Sequence, residues 1–136
     1  MHFVDRDSVP EPAILATCRT RYNDAWVDYS TRKTRGERVT QPNDSQWLDP
    51  LVRDPLTATF RKNCGYCGTY TYERQQVGGT RYYGDVDHFI PKSVNGGLVY
   101  VWRNYVWSCS ACNETKRDYF CEFHILNPCD RSHMSK

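Results

Sequence analysis

Apolar residues along this chain recur with two different periods, and the change between them divides it. After Pro10 and Pro12, Ile14, Cys18, Tyr22, Trp26 and Tyr29 recur every three or four positions. That spacing predicts a helix to about Tyr29, with Cys18 on its core face. Positions 30–46 are polar and rich in turn formers, which predicts a loop. Asp54-Pro55 has the chemistry of a helix start, and Leu56, Thr59 and Phe60 then share a face to Lys62, predicting a second, short helix. Beyond it the pattern becomes β-favouring. Thr69 to Tyr72 and Thr80 to Tyr83 flank Gly78-Gly79 as a hairpin would, and a further strand runs from Gly84 to Ile90, where Pro91 ends it. Positions 98–108 read as strand and 110–119 as helix. The fold class expected is α+β: residues 1–62 helical, 63–119 a core, 120–136 an extension.

The chain has 136 residues, the length of one ordinary domain. Its mean hydropathy of -0.76 places it toward the polar edge of globular composition, with little core to spare. The longest apolar run, Leu98 to Trp102, is far short of the roughly 20 residues that cross a bilayer, so no membrane span is expected. The acidic N-terminal residues lack signal-peptide character, which points to a reducing cytoplasm. Net charge is only +2. Between Arg19 and Arg38, however, six basic residues face three acidic ones, a balance suited either to a DNA-backbone patch or to a solvated loop.

Seven cysteines in a reducing compartment point to metal more than to disulfides. Cys64-Gly65-Tyr66-Cys67 and Cys109-Ser110-Ala111-Cys112 are two CxxC pairs, each able to offer two thiolates to one tetrahedral Zn2+ from a tight turn. Buried or disulfide-bonded thiols and a redox pair are the alternatives. A structural zinc would also explain how a chain with a thin core stays folded. Cys121, His124, Cys129 and His133 have spacing compatible with a second metal, or with packing and surface roles.

Between the pairs lie Gly84-Asp85-Val86-Asp87-His88-Phe89-Ile90-Pro91-Lys92-Ser93 and Trp102-Arg103-Asn104-Tyr105, with Asn113 directly after the second pair. This ordered set resembles the HNH endonuclease family, whose ββα-metal fold clasps one catalytic ion between a hairpin and a helix. Ile125-Leu126-Asn127-Pro128-Cys129-Asp130 and the proline-rich start also look like the HNH components of Septu-type and retron-associated phage-defence systems. That likeness implies a partner ATPase, and relatives of this type run longer than this chain.

The resemblance implies His88 as general base, since a neutral imidazole can accept a proton from water near neutral pH. It implies Asp87 and Asn113 as ligands of the catalytic divalent ion and Asn104 as the residue tying the loop that orients His88. The family often has His where this chain has Asn113, and an all-oxygen set suits Mg2+ or Mn2+. Each residue also has an ordinary reading: Asp87-His88 as a surface pair, Asn104 as a turn residue, Asn113 as a first-turn polar group, Asp85 as a supporting or solvated carboxylate. Lys92, Arg103, Lys116 and Arg117 are candidate phosphate contacts, whereas Trp102 and Trp107 are expected in the core. Successive strand residues point to opposite faces, so Asp87 and His88 can share a site only where the strand twists or ends. The activity implied is metal-dependent hydrolysis of DNA. A nuclease acting on RNA and a non-catalytic zinc module binding nucleic acid or a protein are the alternatives.

Overall fold

A computed structural model describes residues 2–71, 73–120 and 125–134, with backbone alone described at 73–76, 79–82 and 134. Helix α1 spans Ala13–Thr34 and buries Leu15, Cys18, Trp26 and Tyr29. It runs five residues past the expected end, because Ser30 continues the buried face and its hydroxyl accepts from the Gly96 amide at 2.9 Å. Helix α2, Pro50–Thr59, begins earlier than expected. Asp49-Pro50 supplies the start that Asp54-Pro55 was expected to give: the Asp49 carboxylate accepts from the Leu51 amide at 2.9 Å and Pro50 occupies the first turn, where no N–H is needed. Pro55 lies inside the helix.

The first hairpin also shifts. Strands β1, Glu73–Gln76, and β2, Gly79–Tyr82, pair antiparallel around Val77-Gly78, where Gly78 takes a φ of 93° that favours glycine. Of the expected strand at 69–72, Tyr70 makes only a single bridge to Asn63, and Tyr72 lies outside the described residues. Strand β3, Gly84–His88, pairs antiparallel with β4, Tyr105–Cys109, in register Gly84↔Cys109 to His88↔Tyr105. The chain between them is not the strand expected from Leu98 onward but two 3₁₀ turns, Gly96–Leu98 and Trp102–Asn104. Gly96 sits so close to α1 that a Cβ would fall 1.9 Å from the Trp26 carbonyl oxygen. Helix α3, Ser110–Lys116, follows β4 directly, and α4, Arg131–Met134, comes near the C-terminus.

One apolar cluster joins the N-terminal helices to the β3–β4 ribbon, combining Leu15, Trp26, Trp47, Val52 and Leu56 with Val99, Tyr100, Tyr105, Val106 and Trp107. Trp102 and Trp107 are both in this core, as expected. The N-terminal segment closes against the other end of the chain, the Val4 amide donating to the Pro128 carbonyl at 2.8 Å. Among the described residues, no helix is long and apolar enough to cross a membrane.

Candidate active site and metal centre

The four thiols of the two CxxC pairs converge, every Sγ lying within 4.8 Å of the others. Four thiolates at about 2.3 Å from one tetrahedral ion stand about 3.8 Å apart, and Cys67 Sγ to Cys109 Sγ is 3.8 Å. Amides turn toward the sulfurs, Cys67 N–H to Cys64 Sγ at 3.5 Å and Cys112 N–H to Cys109 Sγ at 3.4 Å. All six described cysteines are free thiols. The donor set, its spacing and its supporting amides fit Zn2+. The Thr69 hydroxyl and amide pull the Cys67 thiol down to about 6, while burial and the Cys109 sulfur push Cys112 up. A cation among them would deprotonate all four.

Of the four candidate ligands of a second metal, Cys129 and His133 are among the described residues. Cys129 is a buried thiol pushed up to about 11 by burial, and His133 Nδ1 accepts from the Asn127 amide at 2.8 Å. Cys121 and His124 lie outside the described residues.

Strand alternation sorts the remaining site residues. Asp85 and Asp87 face α3, whereas Val86 and His88 face the side covered by the N-terminal helices. Asp87 is 4% exposed. Its carboxylate accepts from the Tyr66 hydroxyl at 2.5 Å and from Lys116 Nζ at 3.2 and 3.3 Å. Burial nonetheless holds its carboxyl above the usual range, outweighing Lys116 and Tyr66. Asn113 comes nearest to Asp85, its Nδ2 lying 3.5 Å from Oδ2. Asn104 ties the turn between the strands: its amide nitrogen donates to the Ile90 and Leu98 carbonyls at 3.0 and 3.2 Å, and its Oδ1 accepts from the Ile90 amide at 2.9 Å.

His88 is 6% exposed and packs edge-on against Trp47 and Tyr105 at centroid distances of 4.8 and 5.3 Å. Its Nε2 lies 3.0 Å from the Val99 carbonyl. A carbonyl only accepts, so Nε2 carries the proton and Nδ1 holds the free lone pair. Burial, reinforced by the Lys92 charge, drives the imidazole down to about 3, keeping it neutral at physiological pH. Although they diverge on the strand, Asp87 and His88 line one open groove of about 330 Å³, together with Asn113, Lys92 and Arg117.

Of the candidate phosphate contacts, Lys92 and Arg117 are at this groove. Lys92 Nζ sits 4.5 Å from the Trp47 ring centroid. Lys116 is not a surface cation: it is buried on Asp87 and also donates to the His88 carbonyl at 2.9 Å. Arg103 lines a different groove with Arg19 and Glu11. Sequence reasoning did not mark Tyr66 or Trp47. Tyr66 sits between two zinc-type cysteines, while Trp47 is brought to His88 from a segment read as lying at the edge of a loop.

Residues 64–118 match the family HNH endonuclease. The chain is similar to the Septu protein PtuB of Bacillus thuringiensis, 33% identical over 93 residues that cover 68% of this chain and 34% of that protein. The chain thus spans about a third of the length of this relative. No solved structure matches. With two CxxC pairs that converge and a β3–β4–α3 unit that carries Asp87, His88 and Asn113 at one groove, residues 64–118 form an HNH endonuclease domain.

Proposed function

We propose that this protein hydrolyses DNA phosphodiester bonds with the help of a divalent ion, Mg2+ or Mn2+, held by Asp87 and Asn113. The observation that carries this reading is the shared groove of Asp87, His88 and Asn113, in which the His88 tautomer leaves Nδ1 as the basic nitrogen. A bound ion supplies polarisation of the scissile phosphate and charge stabilisation at the leaving oxygen. His88, neutral and held by Val99 and Trp47, takes the proton of the attacking water. Arrival of a phosphate beside it offsets the positive field of Lys92 and strengthens the base. Asn104 fixes the turn that presents it, and Lys92 and Arg117 receive the backbone charge. Cys64, Cys67, Cys109 and Cys112 would hold a Zn2+, which would tie the start of α3 to the Cys64–Cys67 loop.

The likeness to a Septu protein supports a place in anti-phage defence, under the control of a partner ATPase. A second reading, a non-catalytic zinc module that binds nucleic acid or a partner, draws on the burial of His88 and the occupation of Asp87 by Lys116. Incubating the protein with plasmid DNA and with transcripts, under Mg2+, Mn2+ or chelator, separates these. Metal-dependent DNA cleavage that falls about 10²–10⁴-fold in His88→Ala supports the proposal. Cleavage confined to RNA redirects it, and no cleavage by folded, zinc-loaded protein refutes it in favour of the second reading.

A further inference from the structure

Tyr66 lies between Cys64 and Cys67, so its backbone belongs to the loop that the zinc site closes. Its side chain leaves that loop for the other site, and the phenol donates to Asp87 Oδ2 at 2.5 Å across 21 positions of sequence. Tyr66 packs against the apolar cluster, which fixes its ring. Burial beside Asp87 pushes the phenol well above its ordinary pKa, so it remains a donor. On the other side, Lys116 reaches the same carboxylate from the last turn of α3, the helix that Cys109 caps with its sulfur and Cys112 enters. Asp87 is therefore gripped by two residues, each carried on a segment that the thiols hold.

We propose that Tyr66 is a positioning residue for the catalytic divalent ion: its hydroxyl fixes the orientation of the Asp87 carboxylate, and the first CxxC loop thereby links the zinc site to the catalytic one. This rests on the reading of Asp87 as a metal ligand. A carboxylate offers about four lone-pair positions. Tyr66 and Lys116 occupy up to three of them, Tyr66 from a ring held by its packing, which leaves the remainder at a residue that lines the groove. Without the phenol, the carboxylate keeps the flexible Lys116 ammonium and loses its rigid partner. Outer partners of metal ligands typically contribute 10–100-fold in metal affinity.

The test measures Mn2+ affinity by electron paramagnetic resonance titration and calorimetry on zinc-loaded wild type, Tyr66→Phe and Asp87→Asn, with zinc content and circular dichroism recorded for each. Tyr66→Phe keeps the ring and its packing, so folding and about one zinc per chain are expected to persist while the Mn2+ dissociation constant rises 10–100-fold. The Mn2+ concentration for half-maximal cleavage should rise in parallel, with kcat at saturating Mn2+ changed far less. Unchanged Mn2+ affinity in Tyr66→Phe alongside weakened binding in Asp87→Asn overturns the Tyr66 role and leaves the metal reading standing. Unchanged affinity in both variants overturns the metal reading and this proposal with it. Loss of zinc from Tyr66→Phe also overturns the proposal, because the phenol would then be serving the zinc loop.

Discussion

Replacing Lys116 with Met should destabilise the protein severely, and by an amount that depends on pH. Lys116 and Asp87 are 9% and 4% exposed, with Nζ 3.2 Å from Oδ2. At that distance and an effective dielectric of about 20, the attraction is about 5 kcal/mol. Much of this offsets desolvation of both charges, but removing one partner strands the other, and such single removals cost about 3–5 kcal/mol. The lost donation to the His88 carbonyl adds to the deficit. In Lys116→Met, Asp87 is a buried carboxylate left with the Tyr66 hydroxyl and the more distant Lys92 charge, so its pKa rises further above the unfolded value. A carboxyl raised on folding removes stability as pH climbs from the unfolded pKa toward the folded one. The destabilisation should therefore be largest at neutral and alkaline pH and shrink as pH falls toward 4. Lys116→Met/Asp87→Asn should recover about 1–3 kcal/mol of the loss, since the stranded charge is gone. Urea unfolding at saturating zinc, followed by two probes to verify two-state behaviour, gives the quantities required. A loss under about 1 kcal/mol that is flat with pH, or a double variant no better than Lys116→Met, would refute the buried pair.

The remaining expectations concern the zinc, His88 and the packing of α1. Purified protein should carry about one zinc per chain by elemental analysis, and Cys67→Ser should lose it together with the fold of residues 64–118, because four-thiolate sites contribute folding energy directly. His88 is driven down to about 3 in the folded protein against about 6.5 unfolded, so the unfolded chain binds more protons between those values. Its contribution is complete above pH 6.5 and is lost on acidification at up to about 1.4 kcal/mol per pH unit. Denaturation curves from pH 7 to 4 should show a shallower decline for His88→Gln than for wild type. Gly96→Ala would place a methyl 1.9 Å from the Trp26 carbonyl oxygen and should cost at least the 1–3 kcal/mol of ordinary overpacking, seen as a lowered thermal midpoint.

What the sequence by itself determined are the features set by local spacing. Two residues between cysteines define a turn able to chelate, so the pairs at 64–67 and 109–112 were readable before any fold was known. The strand opening at Gly84, the helix opening at Ser110 and the core face of α1 through Cys18, Trp26 and Tyr29 follow from periodicity, whereas the strand stops at His88, two residues before the end that Pro91 suggests. Where two sites offered the same chemistry, local reasoning had no means to choose. Asp49-Pro50 and Asp54-Pro55 both resemble a helix start, and packing of Val52 against the core selects the first. The apolar run at 98–102 reads as strand, but closure of Gly96 on α1 and the three bonds of Asn104 fold it into 3₁₀ turns.

Only the tertiary structure decided the electrostatics of the site. Asp87 and His88 are neighbours in sequence, yet the pleat sends one toward α3 and Lys116 and the other toward Trp47 and Val99. The charge of a carboxylate and the tautomer of an imidazole depend on what lies within about 4 Å and how much water remains. Those partners come from positions 47, 66, 99 and 116, remote along the chain, and no local pattern encodes them.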